Sequence, residues 1–145
     1  LRGTVIHNPR SNMNNSVGYA APQRLRLPVA LGTDGIGAAM LDEFRVAYAR
    51  VREHDITTTP ETAWNWLEGG YQLVPEALQD RVAWSEGPVD PWRLAYHTNI
   101  RAEFVEIGGE VVLNNGVATR IDPQEVRAKA AEQAKRLFTK LDDMP

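Results

Sequence analysis

The residues best suited to chemistry follow two short apolar runs near the start of the chain. His7 ends the run at 3–7, and Asp34 comes directly after the run at 28–33. A carboxylate such as Asp34 can bind a hard or borderline divalent cation, and it can take a proton from water that the ion activates. Metal-assisted hydrolysis is therefore one chemistry that Asp34 could serve, at a site that His7 shares if the two strand ends meet.

Each of these residues also has an ordinary structural role. An Asp before Gly is most often a turn residue or a helix cap, and a His at a strand end is more often hydrogen-bonded than metal-bound. His54 is expected to interact with a helix dipole, and His97 is expected on the surface. Taken one residue at a time, function stays undecided.

The elements that must position His7 and Asp34 are predicted to be short strands. The runs at 3–7 and 28–33 are both nearly continuous in apolar residues, which is typical of parallel strands that are buried on both faces. If these strands are neighbours, parallel pairing places both residues at the same carboxyl-terminal mouth. In (β/α) barrels the active site is built at that mouth.

The remaining pattern predicts three units: 1–70, with two strands and two helices, 71–120, a β lobe, and 121–145, a helix. In the first unit we expect a polar loop at 8–19, a helical turn or two at 20–27, and helices at 39–52 and from Thr59, the N-cap, to Gly69. In the β lobe we expect strands at 81–85, 102–107, 110–113 and 117–119, with a Pro-punctuated stretch at 87–92. A two-residue hairpin turn is predicted at Gly108-Gly109, and a second turn at Asn114-Asn115-Gly116. Asp122 is predicted to cap a helix that runs from 123 to about 141.

Composition excludes several classes of protein. The chain has 145 residues, 16 Lys and Arg against 19 Asp and Glu, and no Cys. This slightly acidic balance argues against nucleic acid or an anionic membrane as a partner. The lack of Cys excludes disulfides, thiolate zinc sites and cysteine nucleophiles, and it is compatible with the cytoplasm, where we expect the protein. No apolar run reaches the roughly 20 residues that span a bilayer.

Three strings taken together resemble the amidohydrolase superfamily, in its cytosine/guanine deaminase and chlorohydrolase-like branch. They are H-N-P-R-S-N-M-N-N-S-V-G at 7–18, V-A-L-G-T-D-G at 29–35 and M-L-D-E-F-R at 40–45. In that family an H-x-P-x-S-N segment follows barrel strand seven, and G-T-D ends strand eight. Similar strings at 73–84 and 105–116 extend the resemblance over nearly the whole chain, although Glu76, Arg81 and Trp84 depart from the family pattern.

The resemblance implies an α/β fold: the C-terminal part of a (β/α)₈ barrel, strands of a small β-sandwich lobe and a C-terminal helix. It implies that Asp34 binds one divalent ion, Zn²⁺ first and Fe²⁺ second, and shuttles a proton. The substrate would be a nitrogen heterocycle such as a purine, pyrimidine or triazine, which is deaminated or dechlorinated. Dimers are common in the family, so a homodimer is one candidate, and the oligomeric state stays open. The residues that would border the substrate are His7, Asn8, Ser11, Asn12 and Gly35.

Most ligands of such a site are missing from this sequence. A site of this kind needs about three protein nitrogens besides the carboxylate, and an eight-stranded barrel needs roughly 250 residues. The only His are His7, His54 and His97, and no H-x-H pair occurs. We therefore expect the C-terminal part of a longer hydrolase, inactive alone, whose barrel is completed by an N-terminal region or by a second chain. The alternative is a barrel-derived interaction or regulatory domain without a metal site.

Overall fold

Residues 2–144 are described by a computed structural model, and they fold as a mixed α/β structure. Leu1 and Pro145, the outer ends of the first and last predicted units, lie outside the described residues. The α/β class predicted from the sequence is confirmed at this level. In chain order the elements are β1 (Val5–His7), α1 (Pro9–Asn14), β2 (Val29–Leu31), α2 (Met40–His54), α3 (Pro60–Glu68), β3 (Arg81–Trp84), α4 (Pro91–Tyr96), β4 (Ala102–Ile107), β5 (Glu110–Asn114), β6 (Val117–Ala118) and α5 (Pro123–Asp142).

The two apolar runs form a parallel pair, as their composition predicts. In β1 and β2, Val5 lies opposite Val29 and His7 lies opposite Leu31. All three residues of β2 are buried, whereas Ile6 in β1 is exposed. The prediction that both strands are buried on both faces is therefore confirmed for β2 and wrong for β1, within the described residues.

The hydrophobic core lies on β2 and is built mainly by α2 and α3. Apolar residues recur in α2 at three- and four-residue spacings, so they share one face, and that face is buried. Helix α4 closes the core from a third side through Leu94. The buried core residues are Val29, Leu31, Phe44, Ala47, Tyr48, Val51, Ala63, Trp66, Leu94 and Ile100.

The end of α3 approaches the backbone of β2 very closely at Gly69. A Cβ atom on Gly69 would lie 2.2 Å from the carbonyl oxygen of Val29, whereas a Cβ on Gly70 would meet nothing within 4 Å. We expect Gly69→Ala to destabilise the fold by about 1–3 kcal/mol, because backbone on both sides must shift. Gly70→Ala is the matched control, and urea unfolding is the measurement. Equal stability of the two variants would contradict the close approach.

The β lobe is a four-stranded antiparallel sheet in the order β3-β4-β5-β6. The predicted two-residue turn at Gly108-Gly109 joins β4 to β5, and both glycines have positive φ angles. The turn predicted at Asn114-Asn115-Gly116 joins β5 to β6, but Asn114 is still part of β5, and only Asn115 and Gly116 have positive φ. Such hairpin turns require positive φ angles, which Gly and Asn adopt more easily than other residues. For this reason these residues predicted the hairpins correctly.

Two segments differ from the sequence-based expectation. The stretch 8–19 contains helix α1, where only a polar loop was predicted, and the Pro-punctuated stretch at 87–92 contains the start of α4. In both helices a Pro occupies the first turn, where its missing N–H costs nothing. The Asp90 side chain also accepts a hydrogen bond from the Arg93 amide at 2.8 Å. At 20–27 the predicted helical turns reduce to a single 3-10 turn at Pro22–Arg24.

Helix α5 begins and ends close to the predicted positions. The Asp122 carboxylate accepts a hydrogen bond from the Gln124 amide at 2.8 Å and a longer one from the Glu125 amide at 3.4 Å, which confirms the predicted cap. By contrast, Thr59 precedes α3 in extended backbone without a side-chain cap bond. No residue of α5 is buried. Between residues 2 and 144, no helix combines the length and apolar character required to cross a membrane.

Candidate active site

Ser11 and Asp34, which the sequence places after different strands, are joined by a hydrogen bond. The Ser11 hydroxyl donates to Oδ2 of Asp34 at 2.6 Å, and the Asn15 amide donates to the Ser11 oxygen at 3.2 Å. Ser11 lies in α1, directly beyond β1, and Asp34 lies three residues beyond β2. Parallel pairing thus brings the two polar segments together at one mouth, as expected from the strand order.

Asp34 holds an unusual backbone conformation at this mouth. Its φ angle is +51°, in the left-handed region that Asp and Asn tolerate better than most other residues. Its side chain is exposed apart from the contact with Ser11. The turn places the Asp34 carboxylate just beyond the end of β2. Because Ser11 of α1 donates a hydrogen bond to this carboxylate, α1 as well as β2 sets the orientation of the Asp34 side chain.

A buried ion pair joins the two segments to helix α2. The side chain of Glu43 is fully buried, and its Oε1 atom lies 2.7 Å from Nε of Arg10. The second Glu43 oxygen accepts the backbone N–H of Arg10 at 3.2 Å. Arg10 also donates to the carbonyl oxygen of Ile36 at 3.2 Å. Arg10 therefore connects α1, α2 and the Asp34 turn.

His7 lies at the end of β1 and is almost completely buried. Its ring packs edge-on against Trp66 at 6.1 Å and against Tyr19 at 6.4 Å between ring centroids. Neither ring nitrogen has a hydrogen-bond partner in residues 2–144. Burial lowers the pKa of His7 below its ordinary value, and the negative charge of Glu43 opposes that effect in part. The neutral imidazole is therefore favoured.

This lowered pKa predicts a loss of stability in acid. The unfolded His7 titrates near 6.5 and the folded His7 titrates lower, so between these values the unfolded chain binds more protons. Stability should therefore fall as the pH drops through this window. His7→Gln should reduce the difference in urea midpoint between neutral and mildly acidic buffer, because it removes the buried imidazole whose pKa is lowered. An unaltered pH dependence in His7→Gln would contradict this interpretation.

The other predicted substrate residues are spread over the mouth. The Asn8 side chain packs over Gly32, and its buried Oδ1 atom has no hydrogen-bond partner in the described part of the chain. Asn12 lines a separate shallow cavity of 320 Å³, together with Met13, Ser16, Gly18 and Arg50. Gly35 is exposed and follows Asp34 in the turn. The structure therefore joins Ser11 to Asp34 directly, and it does not join Asn12 to them.

Sequence reasoning missed Arg10 and Glu43 as site residues. A signal was present, because Glu43 occupies a position three or four residues from Met40 and Ala47, on the apolar face of α2. A charge on a buried helix face requires a partner, since an unpaired buried carboxylate is strongly unfavourable. The position of Glu43 therefore predicts a cationic partner, but it does not identify Arg10 among the 16 Lys and Arg residues of the chain.

The donor set at this mouth fits part of a metal site. Asp34 offers an exposed carboxylate whose Oδ2 is already oriented by Ser11, which suits a divalent cation. No group of three or more His, Cys, Asp or Glu side chains that could hold an ion occurs in residues 2–144. The residues present therefore account for one ligand, and the others would have to come from elsewhere.

Comparison with known proteins adds no assignment. No protein-family model matches the chain, and no solved structure matches it.

Proposed function

We propose that this chain is the C-terminal share of a metal-dependent amidohydrolase. The complete enzyme would hydrolytically deaminate or dechlorinate a nitrogen heterocycle such as a purine, pyrimidine or triazine. The observation that supports this function is the hydrogen bond between Ser11 and Asp34. It joins the H-x-P-x-S-N segment to the G-T-D segment, which are the two strings that resemble the family.

In this proposal β1 and β2 are the last two strands of a (β/α)₈ barrel. A pair of three-residue parallel strands cannot form a stable sheet alone, and Ile6 of β1 is exposed, so further strands are needed to complete the sheet. The antiparallel strands β3–β6 are then this chain's share of the small β-sandwich lobe. The rest of the barrel belongs to an N-terminal region or to a second polypeptide.

The chemistry assigned to this chain centres on one carboxylate. A divalent ion, Zn²⁺ or Fe²⁺, lowers the pKa of water when bound, so that hydroxide is available near neutral pH. Asp34 is the residue of this chain that would hold the ion, and Ser11 keeps one of its carboxylate oxygens in place. Asp34 also accepts the proton of the attacking water and passes it to the leaving group. His7, Asn8, Ser11, Asn12 and Gly35 are assigned to the substrate side of the mouth.

Metal content, native mass and ammonia release together test this function. The chain alone should release no ammonia from purine, pyrimidine or triazine substrates. Co-purified with polypeptide that supplies an H-x-H pair, it should contain zinc or iron and release ammonia or chloride. The alternative is a non-catalytic interaction domain. It would be supported by a monodisperse, metal-free chain whose native mass includes no second polypeptide and whose reading frame encodes no H-x-H pair.

A further inference from the structure

The hydrogen bond from Ser11 to Asp34 is the second of two bonds in series. Nδ2 of Asn15 donates to the Ser11 side-chain oxygen at 3.2 Å, and the Ser11 hydroxyl donates to Oδ2 of Asp34 at 2.6 Å. The backbone N–H of Asn15 also donates to the carbonyl oxygen of Ser11 at 2.9 Å, at the end of α1. Asn15 is therefore held beside Ser11 by its backbone as well as by its side chain.

The chemistry of these three side chains fixes the direction of both bonds. An amide nitrogen donates hydrogen bonds, an ionised carboxylate accepts them, and a hydroxyl has a single proton to donate. A second neighbour supports the orientation of the Asn15 amide, since its Oδ1 accepts a long bond of 3.5 Å from the side chain of Asn14. Because Asn15 donates to Ser11, the only proton of the Ser11 hydroxyl is left for Asp34.

Burial leaves the Ser11 hydroxyl few other partners. Ser11 is only 3% exposed, so water has little access to it. A buried hydroxyl without a hydrogen-bond partner is unfavourable, so Ser11 requires an acceptor among the neighbouring protein groups. Asp34 is that acceptor, at the short distance that is typical of a hydroxyl bonded to a carboxylate.

The same two bonds make the carboxylate oxygens of Asp34 unequal. Oδ2 accepts the Ser11 hydroxyl, whereas Oδ1 forms no hydrogen bond with any residue between 2 and 144. Asp34 is otherwise exposed at the mouth. Carboxylates that bind metal ions are commonly oriented by outer hydrogen bonds of this kind. The oxygen that is free to bind an ion is therefore Oδ1.

We propose that Asn15 is a positioning residue for Asp34. By donating to Ser11 it directs the Ser11 proton to Oδ2 of Asp34, so that Oδ1 is the oxygen that binds the divalent ion. This inference rests on the proposed function, which assigns the ion to Asp34. It adds the atom that binds the ion and a residue outside the predicted site. Asn15 touches neither ion nor substrate, because it acts through Ser11.

Reversing the direction of the first bond tests this role. Asn15→Asp keeps the size of the side chain, but the new carboxylate is ionised at neutral pH and accepts hydrogen bonds instead of donating them. It would therefore compete with Asp34 for the Ser11 proton. In the complete hydrolase we expect the affinity for zinc, measured by competition with a chelator, to fall by about 10–100-fold, the usual cost of losing an outer hydrogen bond. Ser11→Ala, which removes the proton altogether, should lose affinity to a similar extent.

Asn14→Asp is the matched control for the added charge. Asn14 is exposed and adjacent to Asn15, and its side chain bonds to neither Ser11 nor Asp34. A negative charge near a cation attracts it, so charge alone would raise the affinity for zinc in both variants. A loss of affinity in Asn15→Asp that is absent from Asn14→Asp therefore reports the hydrogen-bond direction.

Urea unfolding of the chain alone distinguishes positioning from a loss of structure. Asn14 and Asn15 are both exposed, so Asn14→Asp and Asn15→Asp should unfold at similar urea midpoints. A lower midpoint in Asn15→Asp, in proportion to its loss of zinc affinity, would assign Asn15 a structural role and overturn the proposal.

Two further results would also overturn it, and they fail for different reasons. Wild-type zinc affinity in Asn15→Asp, while Asp34→Asn loses the metal, would leave the proposed function standing and refute the role of Asn15. A wild-type hydrolase that contains neither zinc nor iron would refute the proposed function itself, and the role of Asn15 with it.

Discussion

Under the proposed function, Asp34→Asn in the complete hydrolase is expected to lower turnover by about 10²–10⁴-fold, the usual contribution of a positioned proton-transfer group. The amide has nearly the same size as the carboxylate and can still accept the hydrogen bond from Ser11, so the mouth should keep its shape. It cannot accept the proton of the attacking water, and it is a much weaker ligand for a divalent ion. The rate of ammonia release and the metal content measured on the same sample test both roles.

Asp42→Asn is the matched control for this change. Asp42 is a half-exposed carboxylate near the same mouth, at 3.8 Å from Arg10, and has no assigned chemistry. Its replacement should leave metal content and turnover close to wild type. Normal turnover in Asp34→Asn would refute the role of Asp34, whereas equal losses in both variants would point to the local negative charge rather than to one carboxylate.

The largest effect on stability is expected from Glu43→Ala, about 3–5 kcal/mol in the free energy of unfolding. The Glu43 side chain has no exposed surface, and the side chain of Arg10 is only 22% exposed. Removing the carboxylate leaves a largely buried guanidinium without its partner and opens a cavity on the core face of α2. The backbone N–H of Arg10 also loses its acceptor.

Comparing the urea unfolding of Glu43→Ala with that of Asp42→Ala distinguishes the contribution of a buried ion pair to stability from that of a surface ion pair. Asp42 is half exposed, so its pairs with Arg10 and Arg45 should contribute within about 1 kcal/mol. Faster amide exchange in Glu43→Ala should concentrate in α1 and around Ile36, which Arg10 holds to α2. If Glu43→Ala lost as little stability as Asp42→Ala, Arg10 would have to be solvated or hydrogen-bonded to another acceptor in that variant.

Patterns that act over a few residues predicted much of the fold. Continuous apolar runs indicated the parallel pair β1 and β2, helical spacing indicated α2, and the glycine turns indicated the hairpins of the β lobe. These predictions are right because periodicity and turn chemistry depend on neighbours along the chain. Helices α1 and α4 were missed because each has only six residues, too few for a periodic pattern to be distinct.

The candidate site was partly predictable for the same reason. Parallel strands must bring their following segments to one edge of a sheet, so the strand order predicts a shared edge for His7 and Asp34, whereas the hydrogen bond from Ser11 to Asp34 was not predicted. The ion pair between Arg10 and Glu43 connects residues 33 positions apart in the chain. No local pattern specifies which charge reaches a buried carboxylate, because that depends on how α1 packs against α2.

The sequence by itself determined the strands, the principal helices and the residues available for chemistry, since these depend on side-chain type and short-range spacing. Only the tertiary structure decided that His7 is buried without a hydrogen-bond partner among the described residues, that Arg10 ties the Asp34 turn to α2, and that α5 leaves its apolar face exposed. Burial and ion pairing arise from contacts between distant segments, and their free energies are set when the elements pack.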